Sequence, residues 1–153
     1  MSNVVALERR IPAMSNDAIA SVRALEHSLS DMPQQKIETH HALHGGMYAR
    51  TIQIKAGVLL TGAEILVPTT LIVNGDVTVY VGDQSVRLQG YCLLAAGAGR
   101  KQAFLAHEDT ILTMLFATDA TSIEQAENQF TNEAHMLMSR QDGAINHFNI
   151  TGE

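Results

Sequence analysis

Apolar residues change their spacing several times along the chain, and each change predicts a different element. From residue 16 to 32 they recur at three- and four-residue steps, so Ile19, Val22, Leu25, Leu29 and Met32 line one face of a helix. Ser15 or Asn16 offers the cap, Asp17 suits the first turn, and Pro33 predicts an end at Asp31 or Met32. From Lys36 the period falls to two. Ile37, Thr39, His41 and Leu43 share one strand face, and Tyr48, Arg50, Ile52 and Ile54 share another, with Gly45-Gly46 as the turn between them. Arg50 therefore points the same way as two isoleucines, which predicts a guanidinium that is either paired or in a pocket. Glu64 is its expected partner.

Residues 57–116 are a train of short β-branched segments cut by turn signals. Asn74-Gly75-Asp76 predicts a tight hairpin and Gly82-Asp83 a second turn. Gly90 opens a strand over residues 91–95, Gly97-Ala98-Gly99 forms a loop, and His107-Glu108-Asp109 separates the last two strands. Seven to ten strands in all are expected, in a sandwich or small barrel (numbers typical of such spacing). Helical spacing then returns. Thr121 with Glu124 reads as a capping box, Ile123, Ala126, Phe130, Ala134 and Leu137 as a buried stripe, and Gly143 as a stop after Arg140. The polar tail, residues 142–153, is expected to fray or to dock at a subunit contact. The apolar run Val4-Val5-Ala6-Leu7 reads as a loose arm, an edge strand or an arm crossing to another subunit.

The 153 residues suit a single domain with a real core: a helix at about 16–32, a barrel at about 36–117 and a helix at about 122–140. A net charge of −6 argues against a nucleic-acid polymer as partner, though not against a small basic pocket. Cys92 is the only cysteine, so no intramolecular disulfide forms and a reducing compartment fits. It reads as a small buried apolar residue. The N-terminus has no basic-then-apolar leader, and no apolar run approaches a membrane span, so a soluble, cytoplasmic chain is expected.

The words IVNGDVTVYVGD (residues 72–83) and LQGYCLLAAGAGRKQAFLAHEDT (residues 88–110) resemble the central hairpin and second motif of a small single-domain cupin. The resemblance covers residues 47–117 and implies a mainly β, jelly-roll barrel with flanking N- and C-terminal helices. GMYARTI, LIVNGDVTVY and GRKQAF also resemble cupin-like proteins of tailed phages and prophages. Metal-binding cupins carry Gly, five residues, His-x-His, three or four residues, Glu, six residues, Gly. With the last Gly on Gly75, Pro68 takes the Glu position and Gly62 and Glu64 the His positions. The second signature is Gly, five residues, Pro-x-Gly, two residues, His; from Gly90 its His falls on Lys101, or on Arg100 with a loop one residue shorter. Of these only Glu64 could ligate a metal, since a guanidinium cannot release its proton. Exchange of His for Arg or Lys turns a cation site into an anion site.

The remaining chemistry is sparse. His40, His41 and His44 cluster in sequence, but on a strand His40 and His41 point to opposite faces. His107 reads as part of a solvated loop, and His27, His135 and His147 as surface residues. No Ser or Cys has a recognisable His/Asp spacing, so no nucleophile motif is present. The expectation is a non-enzymatic protein without a cofactor, a homodimer or higher oligomer, holding a small anion. Arg50, Arg100 and Lys101 are its charge partners, with Tyr48, Glu64, Tyr91 and Gln102 completing the pocket. The phage resemblance implies a nucleotide-type signal as the anion, sequestered in the host cytoplasm as an anti-defence sponge. The alternatives are a divergent metal-dependent cupin enzyme using His41, His44 and Glu64, and a structural or assembly protein of a virion.

Overall fold

The computed structural model describes residues 9–153. It has a mainly β fold with two α-helices. In chain order these are β1 (Arg10–Ile11), α1 (Asn16–Leu29), β2 (Thr39–His44), β3 (Met47–Ile54), β4 (Leu59–Thr61), β5 (Thr69–Val81), β6 (Gln84–Ala96), β7 (Ala103–Ala106), β8 (Thr110–Ala117), α2 (Ile123–Phe130) and β9 (Asn146–Ile150). Two 3-10 turns, Ala134–Met136 and Met138–Arg140, lie between α2 and β9. Residues 4–7, the expected arm, fall outside the described residues. The arm's continuation, β1, pairs in parallel with β6 of the same chain. No helix among the described residues is long and apolar enough to cross a membrane.

The strands run in the order β1-β6-β5-β8-β3-β2-β9, and β7 joins β5 to β4. β5 is the fork. Its first half, residues 70–74, pairs with β8, and its second half, residues 77–80, pairs with β7. Inward side chains from β3, β5, β6, β7 and β8 therefore meet in one core containing Ile54, Val73, Val77, Val79, Leu88, Leu94, Phe104 and Leu112. Their alternation with outward residues is the period-two pattern that a sheet with one buried face requires. A second cluster packs α2 and the first 3-10 turn onto Leu43, Tyr48, Met114 and Phe116 through Ile123, Ala126, Phe130, Ala134 and Leu137.

The expected hairpin at Asn74-Gly75-Asp76 is not there. β5 continues through it, and Gly75 faces Gly90 across an unbroken β5–β6 ladder. The turn is at Gly82, whose φ of 71° is left-handed. Gly75 serves the fork instead. Thr110 packs so closely that a Cβ on Gly75 would lie 2.7 Å from its Cα. The Thr110 hydroxyl accepts from the Asp76 N–H at 3.1 Å, filling the gap where β5 changes neighbours. Gly90 likewise lies inside β6 and does not open a strand.

Both helices are shorter than expected. Ser15 caps α1 by accepting from Ala18 N–H, and the helix ends at Leu29 because the Gln34 amide donates to the carbonyls of Leu29 and Met32. The cap of α2 is Ser122, one residue later than expected, and Gln125 reaches back to the Thr121 N–H. α2 stops at Thr131, which is extended and buried, and the rest of the expected helix forms the two tight turns. The tail does not fray: residues 146–150 form β9, which pairs in parallel with β2.

Candidate functional site

A cavity of about 700 Å³ lies between the inner sheet face, the end of α1 with its following loop, and the turns after α2. Its wall is chiefly apolar, with Ile52, Leu60, Leu71, Phe104, Leu112 and Met114 from the strands. Leu29 and Met32 close it from the α1 side, and Phe130, Leu137 and Met138 from the C-terminal side. Met32 is 56% exposed, so the cavity reaches the surface beside the α1 loop.

Set into this wall are Arg100, Lys101 and Gln102, each at most 4% exposed. These charges are buried although they directly follow the glycine loop at residues 97–99. Lys101 points toward α1, where its ammonium donates to the Gly62 carbonyl at 2.8 Å and to Glu26 at 3.1 Å, with Glu133 at 3.7 Å. Two carboxylates therefore surround it.

Arg100 has no such partner: among the described residues no carboxylate pairs with it. Its Nε donates to Gln102 Oε1 at 3.2 Å, Nη1 to the Gly97 carbonyl at 2.8 Å and Nη2 to the Thr69 hydroxyl at 2.7 Å. All three acceptors are neutral. Burial disfavours the charged form and pushes the guanidinium down to about 10. Gln102 is the second unsatisfied group. Its Oε1 must face Arg100, which only donates, so its Nε2 is left buried without an acceptor. A buried amide donor with no partner costs about 1–3 kcal/mol. One uncompensated positive charge and one orphaned N–H donor thus sit side by side in the cavity wall.

Arg50 lies in the opposite wall, on β3, with most of its charge neutralised. It donates from Nη1 to Glu127 Oε2 at 2.8 Å and to the Tyr48 hydroxyl at 3.2 Å, and from Nη2 to Ser139 at 2.9 Å. Its partner is therefore Glu127 of α2, and not Glu64 as expected. Glu127 also accepts from Ser139 at 2.6 Å and from Arg140 Nε at 2.8 Å. Burial pushes its carboxyl upward, but the hydrogen bonds of Ser139, Arg140 and Arg50 with the charge of Arg50 outweigh it, and the net shift is downward.

The network continues to His41, and its protons can be placed. Asn146 donates through Nδ2 to the Ser139 carbonyl, so its Oδ1 faces His41 Nε2 at 2.7 Å and takes that hydrogen. Burial lowers the His41 pKa against the Asn146 bond, so the ring is neutral and Nδ1 accepts from the Tyr48 hydroxyl at 2.7 Å. Tyr48, fully buried, is pushed up to about 12 chiefly by burial. It remains a phenol that donates to His41 and accepts from Arg50.

The expected residues thus divide. Arg50, Arg100, Lys101 and Gln102 come to one cavity. Tyr48 stands behind Arg50 as a support. Tyr91 is a correction: odd positions of β6 point outward, and its ring is 64% exposed on the outer sheet face. Glu64 is another, since it pairs with Arg23 at 2.6 Å and not with a cavity cation. The set His41, His44 and Glu64 does not converge. His41 has both nitrogens engaged within the fold, and His44 bonds Thr151 at 2.7 Å. His40 lies on the other face of β2, as strand geometry requires. Cys92 is half-buried against the core.

Sequence reading missed Glu127, Glu26 and Glu133. Glu127 had left a trace: it falls four residues after Ile123 on the apolar face of α2, where a carboxylate needs a buried cation. Glu26 and Glu133 reach Lys101 across 75 and 32 residues of chain, and no local pattern announces them.

The chain has similarities to several solved cupin structures. It is similar to a cupin-2 domain containing protein from Shewanella frigidimarina, at 14% identity over 61% of this chain and 91% of that one, with a TM-score of 0.44. It is also similar to a cupin superfamily protein from Desulfitobacterium hafniense, at 16% identity over 60% of this chain and 86% of that one, with a TM-score of 0.46. A third is the cupin domain of Schizosaccharomyces pombe Cnp3, at 16% identity over 60% of this chain and 67% of that one, with a TM-score of 0.45. No protein-family model matches the sequence, and no curated protein matches it. The likeness is one of fold and brings no ligand or activity with it.

Proposed function

We propose that the chain binds, without transforming it, a small and largely apolar molecule bearing one anionic group. The observation that carries this reading is the pair formed by Arg100 and Gln102. A carboxylate placed against them would supply the missing counter-charge and accept the orphaned N–H of Gln102. The rest of the molecule would lie along Ile52, Leu71, Phe104, Leu112 and Met114. Pockets of this size and composition, apolar with a few convergent polar groups, are the usual form of small-molecule sites.

The charge count narrows the anion. Lys101 already faces Glu26 and Glu133, and Arg50 faces Glu127. Arg100 alone remains, which favours a monoanion over a nucleotide with several phosphates. The nucleotide signal and the sponge role in a phage rest on the sequence resemblance alone. The catalytic alternative has little to work with. Among the described residues no His, Asp or Cys lines the cavity, and its two carboxylates are both committed to Lys101.

The test is to purify untagged protein, denature it and identify released small molecules by mass spectrometry, then screen monocarboxylates and nucleotides by thermal shift. At a hundredfold excess over Kd, a monoanion should raise Tm by about 5–10 °C. Arg100→Met should abolish that rise. The reading fails if no monoanion stabilises the protein, if Arg100→Met responds like the parent, or if the bound compound is recovered as reaction products.

A further inference from the structure

We propose that Glu38, His40 and His147 form a binding site for a divalent transition metal, of the kind zinc occupies, on the outer face of the sheet. The site is separate from the cavity and does not depend on the ligand proposed for it. It is built by the β2–β9 ladder. The two strands are parallel and place His40 directly opposite His147 in register. Their rings stack with centroids 4.3 Å apart and planes 12° from parallel. Glu38 precedes His40 by two residues, on the same face, and its Oε2 lies 3.1 Å from His147 Nε2.

One donor atom from each residue falls within 4.8 Å of the other two, and no other such trio is found among the described residues. A tetrahedral zinc with bonds of about 2.0–2.1 Å needs donors about 3.3 Å apart. The Glu38–His147 edge already has that length. All three side chains are exposed, so a small rotation of His40 closes the triangle at little cost. Two imidazoles and one carboxylate suit zinc, nickel or copper better than calcium or magnesium, which prefer all-oxygen sets. Three protein donors leave a fourth position for water.

Such an ion has a structural consequence. It would join the last strand to β2 through side chains, beyond the ladder itself. β9 is an edge strand near the chain end, and its opposite face carries Asn146, which orients His41. A metal on the outer face would therefore pin the strand that completes the inner network.

The experiment is a titration of untagged full-length protein with zinc alone by calorimetry, paired with hydrogen exchange of residues 146–150. The parent should bind one zinc per chain, and zinc should slow exchange in β9. His40→Gln and His147→Gln should each weaken binding at least tenfold, while His135→Gln, on an exposed turn, should not change it. These surface substitutions leave the core untouched, and circular dichroism verifies the fold. The proposal is overturned if binding is substoichiometric, if either strand variant binds like the parent, or if His135→Gln weakens binding as much as they do. Unchanged β9 exchange on zinc binding overturns it as well.

Discussion

Two residues carry the least comfortable chemistry of the molecule, and they allow a sharp substitution. Gln102→Glu keeps the side-chain shape, removes the orphaned N–H2 and places a carboxylate against the unpaired Arg100. Ligand-free stability should rise by about 1–2 kcal/mol in urea denaturation, because a charge-assisted bond replaces a neutral one and an unsatisfied donor disappears. The same change should abolish anion binding, since the variant carries its own anion. A variant that is less stable and still binds would contradict the placement of the ligand group. Glu127→Gln tests the opposite wall. It leaves Arg50 and Arg140 facing a neutral amide and should cost about 3 kcal/mol, the lower end for breaking a buried pair. Loss of Ser139 and Arg140 contacts should also loosen the turns that line the cavity, which hydrogen exchange of residues 134–141 would register.

At the level of elements, the fork in β5 makes a prediction that the hairpin reading would not. Gly75→Ala drives a methyl into the Thr110 backbone at the point where β5 leaves β8 for β7. Overpacking of this kind costs about 1–3 kcal/mol, and the φ of 153° adds strain, so the denaturation midpoint should fall clearly. Gly90→Ala, across the ladder, meets open space, so it adds no clash and should cost only the strain of its left-handed φ of 77°, about 1–2 kcal/mol. If Gly75 occupied a solvent-exposed hairpin, the order would reverse. Asn-Gly is a strong local signal for a tight turn, and it was overruled by the long β6 partner and by Thr110, both remote in sequence. Alternation was better local information. It placed Tyr48, Arg50, Ile52 and Ile54 on one face of β3, and Thr39, His41 and Leu43 on one face of β2, as found. β9 was illegible because five residues of mixed polarity become a strand only by pairing with β2, more than a hundred positions earlier. The site was legible to the same degree. A basic step after a glycine loop could be seen in the sequence. Its burial could not, because the acids that neutralise Lys101 come from α1 and the turn after α2.

Across the whole molecule, buried and bridging titratable groups tie separate parts of the chain together, and this fixes how stability responds to acid. Asp76 is held down to about 2, first by its Arg87 bonds, and it links β5 to β6. Glu133 is lowered although burial opposes it, because the Glu64 N–H, Arg23 and Lys101 outweigh that; it links α1, the β4–β5 loop and the C-terminal turns. Glu127 is lowered likewise and links α2 to β3. A carboxyl whose folded pKa lies below its unfolded value contributes stability that is full above the unfolded value. That stability drains away as pH falls toward the folded one. These three therefore predict a loss beginning near pH 4–5, where free carboxyls start to protonate, and continuing toward pH 2. His41 adds an earlier step. Burial lowers it from 6.5, so below that pH the unfolded chain takes up a proton that the folded one refuses. Stability should thus already decline below about pH 6.5, with a slope of at most about 1.4 kcal/mol per pH unit for one proton. Urea denaturation measured from pH 8 to pH 3 should show this gentle slope first and a steeper one below pH 5. His41→Gln, though less stable throughout, should lose the first slope and keep the second. A profile that stays flat from pH 7 to pH 5 in the parent would mean that His41 is not the neutral bridge between Tyr48 and Asn146.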